Sequence, residues 1–243
     1  MLASVASVDP YHRQRFELLA DPAFRRQVCG AAALIVQEWS ATELGPGEVD
    51  PTALSPERLF AAFDAERESL ETAYRRVFGL LGISQRCPPC EIEYEPNTDV
   101  TYRAQNLADV AGFYQAFGLQ VSPRGGERLD HITVEAEFLY CLLTKEAAAL
   151  RQGNQEGVEV CRDARRKFFE DHLGWWLPAF SRLLSRVAAS GFYQQLASLT
   201  AATSAVERVS LGLTPFQARV IAKPSNARDA TCLECLGGRQ CNS

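Results

Sequence analysis

Histidine is scarce in this chain, with three in 243 residues. One of them, His12, lies near the start, so a histidine-rich metal centre is not expected. Neither His-Glu-x-x-His nor the Glu-x-x-His pairs of di-iron bundles occur, and no Gly-x-x-x-x-Gly-Lys-Ser/Thr phosphate loop appears. No catalytic set emerges, and the chain reads as a non-enzyme. It also lacks a basic excess: 25 Lys and Arg face 30 Asp and Glu, for a net charge of −5. That argues against a nucleic-acid partner, while an acidic surface would attract a cationic peptide. Residues 1–8 have no basic n-region and too short an apolar stretch for a signal peptide. The longest uncharged run, 187–206, carries Gln194, Gln195 and several Ser and Thr. It reads as two soluble helices, with no stable insertion into a membrane. Strand-like alternation and repeats are missing as well. A cytoplasmic location follows as the expectation, and there eight cysteines mean thiols or metal ligands before disulfides.

Helical periodicity is abundant. Apolar residues make up 47% and charged ones 23% of the chain, ordinary for a globule with a sizeable core. Helices are expected over 11–19, 23–39, from Ser55-Pro56 onward to Gly82, 106–119, 130–151, 156–171, 175–189 and 192–211. The fold class is therefore all-α. We expect a single helical domain over 1–213 and an extended, cysteine-containing tail over 214–243, where Pro215, Pro224, Gly237 and Gly238 interrupt the pattern. The helix from 130 is apolar nearly all round, with Ile132, Ala136, Leu139, Tyr140 and Leu143 on one face and Val134, Phe138, Cys141 and Leu142 around them. Such a helix belongs at the centre of a helical protein. A basic cluster lies at Arg162, Arg165, Arg166 and Lys167. Between 87 and 103 the helical period disappears, and Glu91, Glu93, Glu95 and Asp99 crowd together with Tyr94 and Tyr102.

The start of the central helix reads Asp130-His131-Ile132-Thr133-Val134-Glu135-Ala136-Glu137-Phe138-Leu139. It resembles the Asp-His-(Ile/Leu)-x-x-Glu-x-x-Phe-(Leu/Met) signature of the TorD/DmsD/NarJ family, the cytoplasmic chaperones that mature molybdenum oxidoreductases. Leu129 stands where that family usually has Pro, and Ala136 where it often has Leu. Pro88-Pro89-Cys90-Glu91-Ile92-Glu93-Tyr94 is similar to the family's Pro-Pro-Tyr-Glu-Ser-x-Tyr segment. The 107–119 stretch resembles the helix before the Asp-His motif, and His172-Leu173-Gly174-Trp175-Trp176-Leu177-Pro178 resembles the later His-Leu-x-x-Trp-x-Pro turn.

The resemblance implies a TorD-like bundle, monomeric or a domain-swapped dimer, that serves anaerobic respiration without a required cofactor. Its partners would be the apo catalytic subunit of a molybdenum oxidoreductase and that subunit's twin-arginine signal peptide, held until cofactor insertion is complete. It also implies that Asp130, His131, Glu135, Glu91 and Tyr94 bind the client. From the residues alone, Asp130 is an N-cap and His131 a satisfied, half-buried imidazole. Glu135 is either a second anion of a leader pocket or a buried hydrogen-bond partner.

The cysteines offer a rival reading. Cys87-Pro88-Pro89-Cys90 and Cys232-Leu233-Glu234-Cys235 both have the spacing with which two thiolates grip one metal. Together they would form a zinc or iron–sulfur site in a metal-binding redox or assembly protein, or they are unconnected thiols. Cys29, Cys141 and Cys161 fall in helical patterns and read as small core residues.

Overall fold

The computed structural model describes residues 13–40, 42–79, 86–120 and 127–216. Helix α1 (Arg13–Ala20) is separated from α2 (Pro22–Glu38) by Asp21, whose carboxylate accepts from the N–H groups of Ala23 and Phe24 at 3.0 and 3.2 Å. Pro22 occupies the first helical position, where its missing donor costs nothing. A clasping loop leads to α3 (Pro56–Glu66) and α4 (Leu70–Phe78). Then come α5 (Val100–Ala116), α6 (Ile132–Arg151) and α7 (Gln155–Phe168). A five-residue π turn, Phe169–Leu173, runs directly into α8 (Gly174–Ala188), and α9 (Phe192–Ser210) follows. No strand occurs among the described residues; one isolated antiparallel bridge joins Cys90 to His131. The fold is all-α, as the periodicity indicates.

The core is aromatic. Phe138 of α6 meets Phe168 at 4.7 Å between ring centres, and Phe113 and Tyr114 of α5 close on the same pair. Trp176 of α8 is fully buried, with Tyr94 tilted against it at 5.1 Å. The uncharged 187–206 run is indeed two helices, broken where Ala189 and Gly191 adopt φ of 60° and 81°. Glu66 of α3 accepts from the Phe192 N–H at 3.1 Å and fills the space that a Cβ at position 191 would need. Described residues contain no helix long and apolar enough to cross a membrane.

The structure differs from the sequence reading in several places: the helix expected from Ser55 onward is two, α3 and α4, separated at 67–69, and α6 starts at Ile132 instead of 130. Helix α5 begins at Val100 instead of 106, because Asp99 caps it by accepting from the Tyr102 N–H at 2.9 Å. The break expected after 171 is bridged by the π turn. And α6 is not covered all round: Tyr140, Leu143 and Leu150 are 56%, 41% and 56% exposed, while Leu142, Glu146 and Ala149 on its other face are buried. The basic cluster of α7 is resolved into ion pairs. Arg162 and Arg165 share Glu146, Arg165 also meets Glu207, and Lys167 meets Asp171. Of the expected tail, Phe216 packs on Phe169 of the π turn at 6.0 Å; residues 217–243 lie outside the described residues.

The loop before α3 is held from inside. Arg208 of α9 donates to both Glu48 oxygens at 2.7 and 2.8 Å and to the carbonyls of Glu43 and Leu213. Gly47, at φ 95°, allows the loop to lie against the Pro178 carbonyl, which a Cβ would meet at 2.7 Å. Both charged side chains of the pair are almost wholly buried. Arg208→Ala would leave Glu48 uncompensated, at an expected cost of about 3–5 kcal/mol. Urea unfolding of the variant beside the parent reads this directly, and an unchanged midpoint would refute it.

Candidate functional site

The 86–94 segment has little regular structure of its own, a single 3-10 turn over Glu91–Glu93. It is fastened to the start of α6. The Pro89 carbonyl accepts from the Ile132 N–H at 2.8 Å, and the Asp130 carbonyl accepts from the Glu91 N–H at 2.9 Å. This pairing turns the Asp130 side chain away from the helix that follows and toward the loop. Its carboxylate accepts from the Ile92 N–H at 3.1 Å and is gripped by Arg128 at 2.8 and 3.0 Å. Asp130 is therefore not the N-cap. That role falls to His131, whose Nδ1 accepts from the Thr133 N–H at 3.2 Å. Arg128, itself 44% exposed along its side chain, reaches onward to Glu93 at 3.0 Å.

Beneath this joint lie two buried carboxylates. Glu91 accepts from the indole N–H of Trp175 at 2.9 Å. Nδ1 of His172 lies 3.3 and 3.4 Å from its two oxygens, and Nε2 of the same ring lies 3.2 Å from Asp109 of α5. Glu135, fully buried one turn into α6, accepts from the Trp176 indole at 3.2 Å, while its other oxygen has no hydrogen-bond partner. Tyr94 donates to the Pro88 carbonyl at 2.8 Å, which closes the loop on itself. The π turn is what aims these groups: it feeds His172 into the core and starts α8 so that consecutive Trp175 and Trp176 both point inward. π-bulges of this kind recur at functional sites.

Burial pushes Glu135 well above the usual carboxylate range, and the neighbouring charges of Glu91 and Asp130 push the same way. Burial opposes the charge on His172, but Glu91, by hydrogen bond and attraction, and Asp109 outweigh it and raise its pKa above 6.5. Asp130 is also raised, by burial that Arg128 only partly offsets.

Of the residues singled out in the sequence, Glu91, Tyr94, Asp130 and Glu135 come together here, all buried, and His131 stands half-buried at the rim. His172, Trp175 and Trp176 complete the network; the His-Leu-Gly-Trp-Trp turn was their signal. Asp109 and Arg128 carried none. Cys87 and Cys90 are buried beside Tyr94 and Asp130. Burial raises both thiols, that of Cys90 to about 12, so they are protonated near neutrality. Their expected metal partners, Cys232 and Cys235, lie outside the described residues. Among the described residues no three His, Cys, Asp or Glu side chains are grouped to hold a metal.

Two outcomes follow for the network. Glu91→Ala strips His172 Nδ1 and the Trp175 indole of their acceptor and should cost about 3–5 kcal/mol in chemical unfolding; a loss of only about 1 kcal/mol, the worth of a single neutral hydrogen bond, would contradict the network's role. The pH dependence has a definite sign. A histidine with a raised folded-state pKa contributes stability that is complete below its unfolded value, 6.5, and is lost as pH climbs through the folded value. Glu135, also raised, acts in the same direction above 4.5. Stability should fall as pH rises above neutrality, and His172→Gln should flatten that slope. A slope identical in parent and variant would remove His172 from the account.

The chain matches the nitrate reductase delta subunit family over residues 52–182, more than half its length. It is 35% identical over 117 residues to the selenate reductase assembly chaperone protein of Thauera selenatis, covering 48% of this chain and 58% of that protein. To the chlorate reductase assembly chaperone protein of Ideonella dechloratans it is 31% identical over 153 residues, 63% of this chain and 76% of that protein. To the perchlorate reductase assembly chaperone protein of Dechloromonas aromatica it is 32% identical over 93 residues, covering 38% and 41%. The alignments thus span between two fifths and three quarters of these relatives. No solved structure matches the chain significantly. The matched region holds α3 through the first half of α8, and with them the whole buried network. This chain belongs to the nitrate reductase delta subunit family.

Proposed function

We propose that this chain is an assembly chaperone that binds the catalytic subunit of a molybdenum oxidoreductase in the cytoplasm and holds it competent for cofactor insertion. The observation that carries this reading is its similarity to three proteins named as reductase assembly chaperones, for selenate, chlorate and perchlorate. The architecture supports it. The network around Glu91 ties a loop to three helices through matched donors and acceptors, and such a device holds a surface in shape. A chaperone of this kind needs no bond-breaking step. It works by binding the unloaded client more tightly than the loaded one.

The client surface, on this proposal, is the joint between the 86–94 loop and the start of α6. His131, Arg128 and Glu93 reach its exterior, while Asp130, Glu91, Glu135 and Tyr94 frame it from below. The same joint would take the client's twin-arginine leader, whose cationic groups suit a chain of net charge −5.

His131→Ala separates contact from frame. Its ring is half-buried and contributes one capping hydrogen bond, worth about 1 kcal/mol, so the variant should melt close to the parent. Its affinity for the apo catalytic subunit, or for a synthetic twin-arginine leader, should drop by roughly tenfold, equal to about 1.4 kcal/mol. Titration calorimetry against each decides. Parent-like affinity for both would exclude this joint as the client surface; loss for one alone would say which part of the client it holds.

A further inference from the structure

The joint between the 86–94 loop and α6 already holds an arginine, and it is the chain's own. Arg128 lays Nε and Nη2 along the two Asp130 oxygens at 3.0 and 2.8 Å and turns Nη1 to Glu93 at 3.0 Å. All three guanidinium nitrogens are thus engaged, by carboxylates from two separate segments. The two partners differ in depth: the Asp130 side chain is 1% exposed, and the Arg128 side chain is 44% exposed. Arg128 therefore lies between a buried carboxylate and water.

The backbone here is fastened by other bonds. The Arg128 carbonyl accepts from the His131 N–H at 3.1 Å, the Leu129 carbonyl from the Tyr114 hydroxyl at 2.9 Å, and the Asp130 carbonyl from the Glu91 N–H at 2.9 Å. The Asp130 carboxylate keeps a further donor in the Ile92 N–H at 3.1 Å. Loop and carboxylate are held from within, and the Arg128 side chain is laid on from outside. Its bond to Glu93, half exposed like itself, adds little, as surface ion pairs do.

We propose that Arg128 occupies in cis the place of an arginine side chain from a partner, and that binding exchanges one guanidinium for the other. The inference rests on the reading that this joint is the client surface. A carboxylate as buried as Asp130 is costly to leave bare, so Arg128 departs when another cation arrives. The fork selects that cation, because a guanidinium pairs two oxygens at once whereas an ammonium is a point charge. The exchange leaves the charge at the joint unchanged and returns Arg128 to water. Tethered two residues from its carboxylate, Arg128 competes at high effective concentration. The site is open for only a fraction of the time, and apparent affinity falls by that fraction. Ligands without arginine are turned away, and the hold on those that carry one stays reversible.

N-acetyl-arginine amide, an arginine side chain without a leader around it, is the first probe. It should raise the melting temperature of Arg128→Ala with concentration, as a ligand of the folded state does. At the same concentrations it should leave the parent and the double variant Arg128→Ala/Asp130→Asn unmoved, and N-acetyl-lysine amide should shift Arg128→Ala by less. A folded Arg128→Ala that ignores the arginine derivative overturns the proposal. So does a shift of equal size in the parent, in the double variant or with the lysine derivative. A variant that folds neither alone nor with the derivative overturns it as well, because Arg128 is then scaffold. The second probe is a synthetic twin-arginine leader, titrated by calorimetry against parent and Arg128→Ala. The variant should bind it roughly tenfold more tightly; equal or weaker binding overturns the exchange. A leader that binds neither protein, beside an arginine derivative that binds the variant, removes the leader from the proposed function and leaves the arginine site standing.

Discussion

The site depends on the burial of one carboxylate. Glu91 is 1% exposed in a segment with almost no regular structure. Withdrawing a carboxylate from water costs several kcal/mol unless donors replace the solvent. The donors here come from His172 and Trp175, and His172 is in turn backed by Asp109. Satisfying one side chain therefore draws the π turn, α5 and α8 toward the loop, and the backbone pairing of residues 89–91 with 130–132 adds α6. The loop has a definite place because its charge is satisfied there, by His172 and Trp175.

A second clamp follows the same logic at the other irregular segment. Glu48 in the loop before α3 is held by Arg208, as Glu91 is held by His172. The difference lies in the cation. A guanidinium keeps its charge at any pH the protein meets, so the Glu48 clamp is permanent. An imidazole does not, so the Glu91 clamp weakens as protons are withdrawn. Glu135 beside it, its pKa raised by burial and by Glu91, reinforces that direction, because ionising it would place a second negative charge next to Glu91. One loop is built as fixed scaffold; the other loosens as pH rises.

The helices were legible from the chain alone because their apolar periodicity is local. So were the breaks at Asp21-Pro22 and within 187–206. The Asp-His motif and the 88–94 segment were legible as a pair through family resemblance, and they do meet. What each residue does there was not legible. Asp130 has the composition of a cap, yet the antiparallel bridge at Cys90 and His131 rotates its carboxylate toward Ile92 and Arg128 and leaves the cap to His131. Tyr140 and Leu143 have the spacing of core residues, and nothing in their own helix reveals that the described elements cover only its other face, where Leu142, Glu146 and Ala149 are buried.

By itself the sequence determined the all-α class, most helix boundaries to within a few residues, and the segments that must meet. Propensity, caps and periodicity act over a few neighbours, and they are written where they act. The tertiary structure alone decided that His172 lies between Glu91 and Asp109 across long separations in the chain, that burial raises the pKa of Glu135, and which face of α6 stays open. Those outcomes follow from which side chains share one low-dielectric space and which are left in water, a property of the assembled core that no single stretch of chain contains.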